Sequence, residues 1–214
     1  LRTYLDEAEK PVLTASGYAS YANEYDSRGR LVRQHLLGID GKPLPAPAVA
    51  MQTFAYDERG NQVEEASFDA AGKPILDSRG CAVAAYAYDD RGNRIDEAYY
   101  GADDQLMLIE GGYARLTATY DERGNSTEIV YYDQSNHAAP NENHYARVTR
   151  KFDDRGNVIE QAYFDAEGRP TNHADGNAKM IWRYDGRDHE VEAAFYDTDG
   201  ELVMSGYGYA RRAS

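Results

Sequence analysis

The groups in this chain most able to do chemistry are carboxylates, guanidiniums and phenols, and they recur instead of converging. An aromatic-Asp pair is followed two positions after the Asp by Arg, and one further on by Gly. The best copies are Asp57, Arg59 and Gly60; Asp89, Arg91 and Gly92; Asp121, Arg123 and Gly124; and Asp153, Arg155 and Gly156. A column of arginines can hold an anion, and a column of aspartates can hold calcium. Calcium wants six to eight oxygen ligands, and here Arg stands where another oxygen is needed. The arginines are therefore read as structural, stacking on a neighbour's ring or pairing with an acid column at Glu64, Asp96, Glu128, Glu160 and Glu192.

Twin aromatics supply the second candidate chemistry: Tyr99-Tyr100, Tyr131-Tyr132, Tyr163-Phe164 and Phe195-Tyr196. Adjacent side chains on a strand point to opposite faces, so one ring of each twin enters the core and the other faces outward. Tyr100, Tyr132, Tyr163 and Tyr196 are the candidate ligand-binding rings, able to stack on sugars. His35, His137, His144, His173 and His189 form no metal-ligand spacing, so no metal site is assigned. There is no serine nucleophile elbow, phosphate-binding glycine loop or Cys-His arrangement. No catalytic residue and no cofactor is assigned. An enzyme places several different residues once, whereas this chain places the same residues six times.

The elements that carry these residues follow from the spacing. The pairs stand at Tyr25-Asp26, Tyr56-Asp57, Tyr88-Asp89, Tyr120-Asp121, Phe152-Asp153 and Tyr184-Asp185. The period is 32 residues after a first interval of 31, which marks a repeat architecture. Asp opening a turn accepts backbone N–H bonds, and Gly at the fourth position takes a positive φ at little cost. The phrase from Tyr120 to Asn125 thus predicts a type I turn closed by a G1 bulge. A second turn of the same chemistry follows twelve residues later, as at Asp69, Asp165 and Asp197. Each repeat reads as strand, turn, strand, turn and irregular connector, with the first strand near 114–120 and the second near 126–132. Continuous hairpin pairing and a one-rung solenoid are both compatible with this pattern, and the short turns favour hairpins.

The predicted fold is all-β: an elongated, solenoid-like sheet made from a tandem array of about six β-hairpin repeats of period 32. It forms one repeat domain over 1–214. Repeats cover 18–48, 49–80, 81–112, 113–144, 145–176 and 177–207, with partial repeats at 1–17 and 208–214. The part-repeats at both ends suggest a segment of a longer protein. A formal net charge of −14 argues against nucleic-acid and anionic-membrane partners. No apolar run is long enough for membrane insertion of this segment. The single cysteine, Cys81, excludes an internal disulfide and sits where other repeats carry Tyr113 and Tyr145, so it is read as a packing residue.

Tyr-Asp-x-Arg-Gly-Asn with a downstream aromatic-Asp-x-x-Gly resembles the YD repeats of the RHS class of bacterial proteins, over about residues 18–200. The resemblance implies an all-β strip or shell on a secreted or surface protein, and therefore an extracytoplasmic location. In that family shells can encase a toxin, although the 32-residue period here is longer than the usual unit. The expected function is a non-enzymatic structural and interaction scaffold that binds an unidentified protein. The alternative is a carbohydrate or cell-wall module that uses the Tyr rows to hold polysaccharide. Part of a shell around a toxin domain is the third reading.

Overall fold

The computed structural model describes residues 1–213. They contain fourteen strands and no helix. Two compact units are present, one formed by 1–87 with 97–109 and the other by 88–96 with the described residues from 110 onward.

The first unit holds β1 (Arg2–Thr3), β2 (Ser20–Tyr25), β3 (Leu31–Leu37), β4 (Met51–Tyr56), β5 (Gln62–Phe68) and nearly all of β6 (Val83–Tyr88). Strand β7 (Arg94–Tyr100) contributes residues to both units. The second unit holds β8 (Arg115–Tyr120), β9 (Ser126–Tyr132), β10 (Arg147–Phe152), β11 (Val158–Phe164), β12 (Lys179–Tyr184), β13 (Glu190–Tyr196) and β14 (Arg211–Ala213). From β1 to β6, and again from β8 to β14, each strand pairs antiparallel with its chain neighbours. The hairpin array is therefore what forms within each unit, not a one-rung solenoid.

Pairing inside a hairpin is longer than pairing between hairpins. Strands β8 and β9 match from Arg115↔Tyr132 to Tyr120↔Ser126, with a register shift between Thr119 and Tyr120. Strands β9 and β10 match only over Arg147↔Val130, Val148↔Ile129 and Thr149↔Glu128. The register shift is the bulge that the turn chemistry requires. The Gly124 amide donates to the Asp121 carbonyl at 3.1 Å, and Gly124 has φ +84°. Asp121 Oδ1 accepts from the amides of Arg123 and Asn125, both at 2.9 Å, while Asn125 Nδ2 donates to Asp121 Oδ2 at 2.9 Å. In the sixth copy Asp188 takes the left-handed position itself, at φ 64°.

The second turn repeats this geometry. The Gly168 amide donates to the Asp165 carbonyl at 3.2 Å, and Asp165 Oδ1 accepts from Glu167 and Arg169. In five copies the connector contains a third turn of the same kind, opened by Thr14, Asp77, Asn141, His173 or Ser205 and closed by a positive-φ residue three positions later, whereas the turn at 45–48, with Ala48 N donating to Pro45 O at 3.0 Å, lacks the left-handed residue. In the second unit these third turns are tied in series. Glu142 N donates to Gly111 O at 3.1 Å, Ala174 N to Asn143 O at 3.1 Å, and Gly206 N to Asp175 O at 2.8 Å.

One face of each unit carries the apolar core. In the second unit Tyr145, Val148 and Tyr163 are buried together, with Ile129, Tyr131 and Met180 packed against them. Ring centroids lie 5.0 Å apart for Tyr113–Tyr131, 5.7 Å for Tyr131–Tyr145 and 4.7 Å for Tyr145–Tyr163. Burial, reinforced by Tyr145 and Tyr113, pushes the Tyr131 phenol far above its ordinary range. In the first unit the same face is aliphatic, built on Leu36, Leu44 and Ala50. Cys81 is buried with 1% of its surface exposed, as a packing residue should be, and burial raises its thiol to about 11.

Candidate ligand-binding surfaces

The twin aromatics divide as strand alternation requires. The first ring of each pair enters the core: Tyr99, Tyr163 and Phe195 are buried and Tyr131 nearly so. The second ring, at Tyr100, Tyr132, Phe164 and Tyr196, is half-buried on the opposite face. Tyr163 is thus not an outward ring. It is 4% exposed, its ring lies 4.9 Å from that of His173, and its hydroxyl accepts from Gln161 Nε2 at 2.5 Å. It stands ten residues after its turn aspartate, as Tyr99 and Tyr131 do, and its outward partner is Phe164. Burial pushes its phenol up to about 12.

The outward rings are not bare either. Each sits opposite the first residue of the neighbouring strand, and in the second unit that residue is basic. Arg115 lies over Tyr132 at 5.2 Å, Arg147 over Phe164 at 4.8 Å, and Lys179 over Tyr196 at 5.0 Å. Two of these strand cations also hold the acid column: Arg115 pairs with Asp96 and Arg147 with Glu128 at 2.6 Å, while Arg211 of β14 pairs with Glu192 at 2.9 Å.

Arg28, Arg123 and Arg155 reach the next turn and not the acid column. Arg28 Nη1 donates to Glu58 O at 3.1 Å, Arg123 to the carbonyls of Asp153 and Asp154, and Arg155 to Asp185 O at 3.5 Å and to Asp188 Oδ1 at 3.1 Å. Arg91 stays by its own turn, 3.8 Å from Asp89. The tyrosine of the motif reaches the other way, to the preceding repeat. Tyr56 donates its hydroxyl proton to Leu31 O at 2.8 Å, and Tyr120 to Arg94 O at 2.8 Å. The aspartates are spent on their own turns. At Asp57, Asp89, Asp121 and Asp153 the hydrogen bond from the turn asparagine, with backbone amides adding to it, holds the carboxyl below its usual range.

A further open concavity, of about 680 Å³, lies on the core face of the first unit. Its lining combines Tyr18, Leu36, Leu44 and Leu76, of which Leu36 and Leu44 are buried, with Gln34, Gln52, Glu65, Asp77 and Arg79. Gln34 and Gln52 are directly paired across β3 and β4. Gln34 Nε2 donates to Asn23 Oδ1 at 3.0 Å, and Gln52 Nε2 to Glu65 Oε1 at 3.1 Å. Arg79 is held by Glu65 at 3.1 Å, by Asp77 at 2.6 Å and by the Tyr86 hydroxyl at 3.2 Å. These contacts to Asp77 and Glu65 keep the guanidinium fully protonated despite its burial.

Nothing in the repeat consensus marks this cavity. Its signal is departure from the columns. Ser67 stands where later repeats carry Tyr99, Tyr131 and Tyr163, and Gln52 where they carry Leu116, Val148 and Met180. Among the described residues no group of three or more His, Cys, Asp or Glu is placed to hold a metal ion. No helix among them is long and apolar enough to cross a membrane.

The chain matches no protein-family model and no curated protein. Among solved structures it is similar to part of the crystal structure of TcdB2-TccC3-Cdc42, at 14% identity over 82% of this chain and 7% of that one, with a TM-score of 0.48. It is similar to TcdB2-TccC3 without its hypervariable C-terminal region at 16% identity, over 84% of this chain and 9% of that one, with a TM-score of 0.41. A third likeness is to the Tc holotoxin pore of Photorhabdus luminescens, at 15% identity over 88% of this chain and 9% of that one, with a TM-score of 0.39. The chain spans less than a tenth of the length of each of these chains. At such identities and TM-scores the likeness carries no argument about activity or partners.

Proposed function

We propose that this chain is a non-enzymatic scaffold of the YD-repeat type, acting at a bacterial surface or after secretion, whose outer faces bind another protein. The observation that supports this most is where the repeated side chains are spent. Tyr56 and Tyr120 bond backward, Arg28, Arg123 and Arg155 bond forward, and motif aspartates and asparagines close their own turns. The recurring chemistry is thus consumed in stacking repeat on repeat. The remaining surface is made by positions that vary from copy to copy, which is how repeat arrays present binding faces.

The carbohydrate reading rests on Tyr100, Tyr132 and Tyr196. Two of these rings are already covered by a cation from the adjoining strand, which leaves less free ring face for a sugar to stack on.

The test is retention on the immobilised chain from two pools, a soluble bacterial protein fraction and insoluble wall polysaccharide. The expected outcome is one defined protein held at fixed stoichiometry and no saturable retention of polysaccharide. Saturable polysaccharide binding, lost when Tyr100, Tyr132 and Tyr196 are changed to Ala in a variant that stays folded, would replace this reading with the sugar-binding one.

A further inference from the structure

We infer that the cavity on the first unit is a docking pocket for a basic side chain, lysine or arginine, of a partner protein segment. The inference rests on the protein-binding reading above and names the chemistry of the contact.

The hydrogen bonds of the lining leave oxygens for a donor, and the local charge selects its class. One amide N–H of Gln34 goes to Asn23 and one of Gln52 to Glu65, so each amide keeps a second N–H. Arg79 is held by two carboxylates and a phenol. Gln34 Oε1, Gln52 Oε1 and Glu65 Oε2 accept no hydrogen bond among the described residues. A group that brings donors and positive charge suits these oxygens. An ammonium has three donors and a guanidinium five, and neither has an acceptor.

The local charge agrees. Glu65 and Asp77 carry two negative charges against the one positive charge of Arg79, within a chain of net charge −14. Both carboxylates are largely withdrawn from solvent, at 18% and 8% side-chain exposure, so their field is screened less than that of surface acids. An anionic group is repelled. The apolar lining residues Leu36, Leu44 and Leu76 suit the methylene stem of a long basic side chain, which packs on hydrocarbon while its head stays polar. The volume, about 680 Å³, lies within the range of ligand pockets and leaves room for residues flanking the anchor.

The columns around the pocket differ between the units. In the second unit the column of Gln34 and Glu65 continues as Ile129 and Gln161, while the columns of Gln52 and Ser67 hold Val148 and Tyr163, which pack with Ile129. The first unit gives up that packing at Gln52 and Ser67, and Ser67 Oγ is left buried with no hydrogen-bond partner.

The test is side-chain amide NMR of the whole chain titrated with acetyl-arginine methylamide and acetyl-lysine methylamide. The neutral citrulline and norleucine counterparts serve as controls. Saturable shifts at Gln34 and Gln52 are expected with a cationic probe, with at least about tenfold weaker binding of its neutral counterpart. The response weakens as salt rises. Two variants use residues other repeats already carry in these columns, Gln52→Leu as at Leu116 and Glu65→Gln as at Gln161. Each should lose the response while keeping the backbone spectrum of the fold. Equal binding of neutral and cationic probes, no saturable shift with either cation, or a response indifferent to both variants overturns the pocket. If the probes fail while a partner protein is still retained by the intact chain, the pocket assignment falls and the scaffold reading stands.

Discussion

Replacing Tyr163 with Ala separates a core ring from a ligand-binding ring. The side chain is 4% exposed, and its ring centroid lies 4.7 Å from that of Tyr145 and 4.9 Å from that of His173. Truncating a buried aromatic to Ala costs about 3–5 kcal/mol through lost burial and the cavity left behind. Ring pairs of this geometry account for about 0.5–1.5 kcal/mol each within that figure. The control is Tyr132→Ala on the opposite face. Its ring is half-buried and meets Arg115 at 5.2 Å across a single cross-strand pair, so about 1–2 kcal/mol is expected. Repeat arrays need not unfold in one step, so the readout should be local. Amide hydrogen exchange at Val148, Thr149 and Ala162 reports opening of the β10–β11 hairpin that holds the ring. Tyr163→Ala should lower protection there by two or more powers of ten, since about 1.4 kcal/mol is a factor of ten. Tyr163→Phe should cost about 1 kcal/mol, for the hydroxyl bond to Gln161. A Tyr163→Ala penalty no larger than that of Tyr132→Ala would refute the assignment of this ring to the core.

Three further outcomes follow from the turns. Gly112→Ala should cost about 2–3 kcal/mol, because φ is +78° and a Cβ there would lie 2.9 Å from the Glu142 amide nitrogen. Gly176→Ala, at φ +91° with nothing nearer than 3.9 Å, should cost only the conformational part, about 1–2 kcal/mol. Equal urea midpoints for the two variants would remove the close-approach argument. His144→Gly should stabilise by about 1 kcal/mol, since an exposed His holds φ 73° there; a lower melting temperature would show that the imidazole does something else. Acid should weaken the array through Asp57, Asp89, Asp121 and Asp153, whose folded carboxyls titrate below their unfolded value. That contribution is complete above the unfolded Asp pKa of about 3.9 and is lost as pH falls through the folded values. The urea midpoint should therefore hold from about pH 7 to 5 and drop below about pH 4, with a shallower drop in Asn61→Ala and Asn125→Ala. A midpoint flat into strong acid would contradict this.

The turns were legible in the sequence because their chemistry is local. Asp accepts, Asn closes and Gly turns left within five residues, so the phrase from Tyr120 to Asn125 contains its own geometry. The alternation of the twin aromatics was legible for the same reason, and the face of Tyr163 could have been counted from Asp153. Two features were not legible. The third turn opens on Thr14, Asp77, Asn141, His173 or Ser205, which share no identity, only a side-chain acceptor close to the backbone. The target of each turn arginine depends on where the next hairpin lies. Arg123 could have paired with an acid on the strand, as Arg147 does with Glu128, but it donates to the Asp153 and Asp154 carbonyls of the next turn.

Tyr120 bonding backward to Arg94 and Arg123 bonding forward to Asp153 make that motif a two-way tie, and Tyr56, Arg28 and Arg155 keep one arm of it in other copies. A change at Asp121 or Arg123 acts on its own turn and also on its neighbour's, because the turn that Asp121 shapes is the platform from which Arg123 reaches Asp153. The fifth copy shows how much of the tie is dispensable. Phe152 has no hydroxyl to give, yet its turn keeps both aspartate bonds and its Arg155 still reaches Asp185 and Asp188. The connector carries no such double duty. Its third turn needs only an acceptor and a left-handed residue, so the columns beside it are free to change from aromatic to amide without breaking the stack. That freedom is what lets the first unit exchange Tyr for Ser67 and Leu for Gln52, opening a cavity partly lined by polar groups on a face where the second unit packs Tyr145, Val148 and Tyr163.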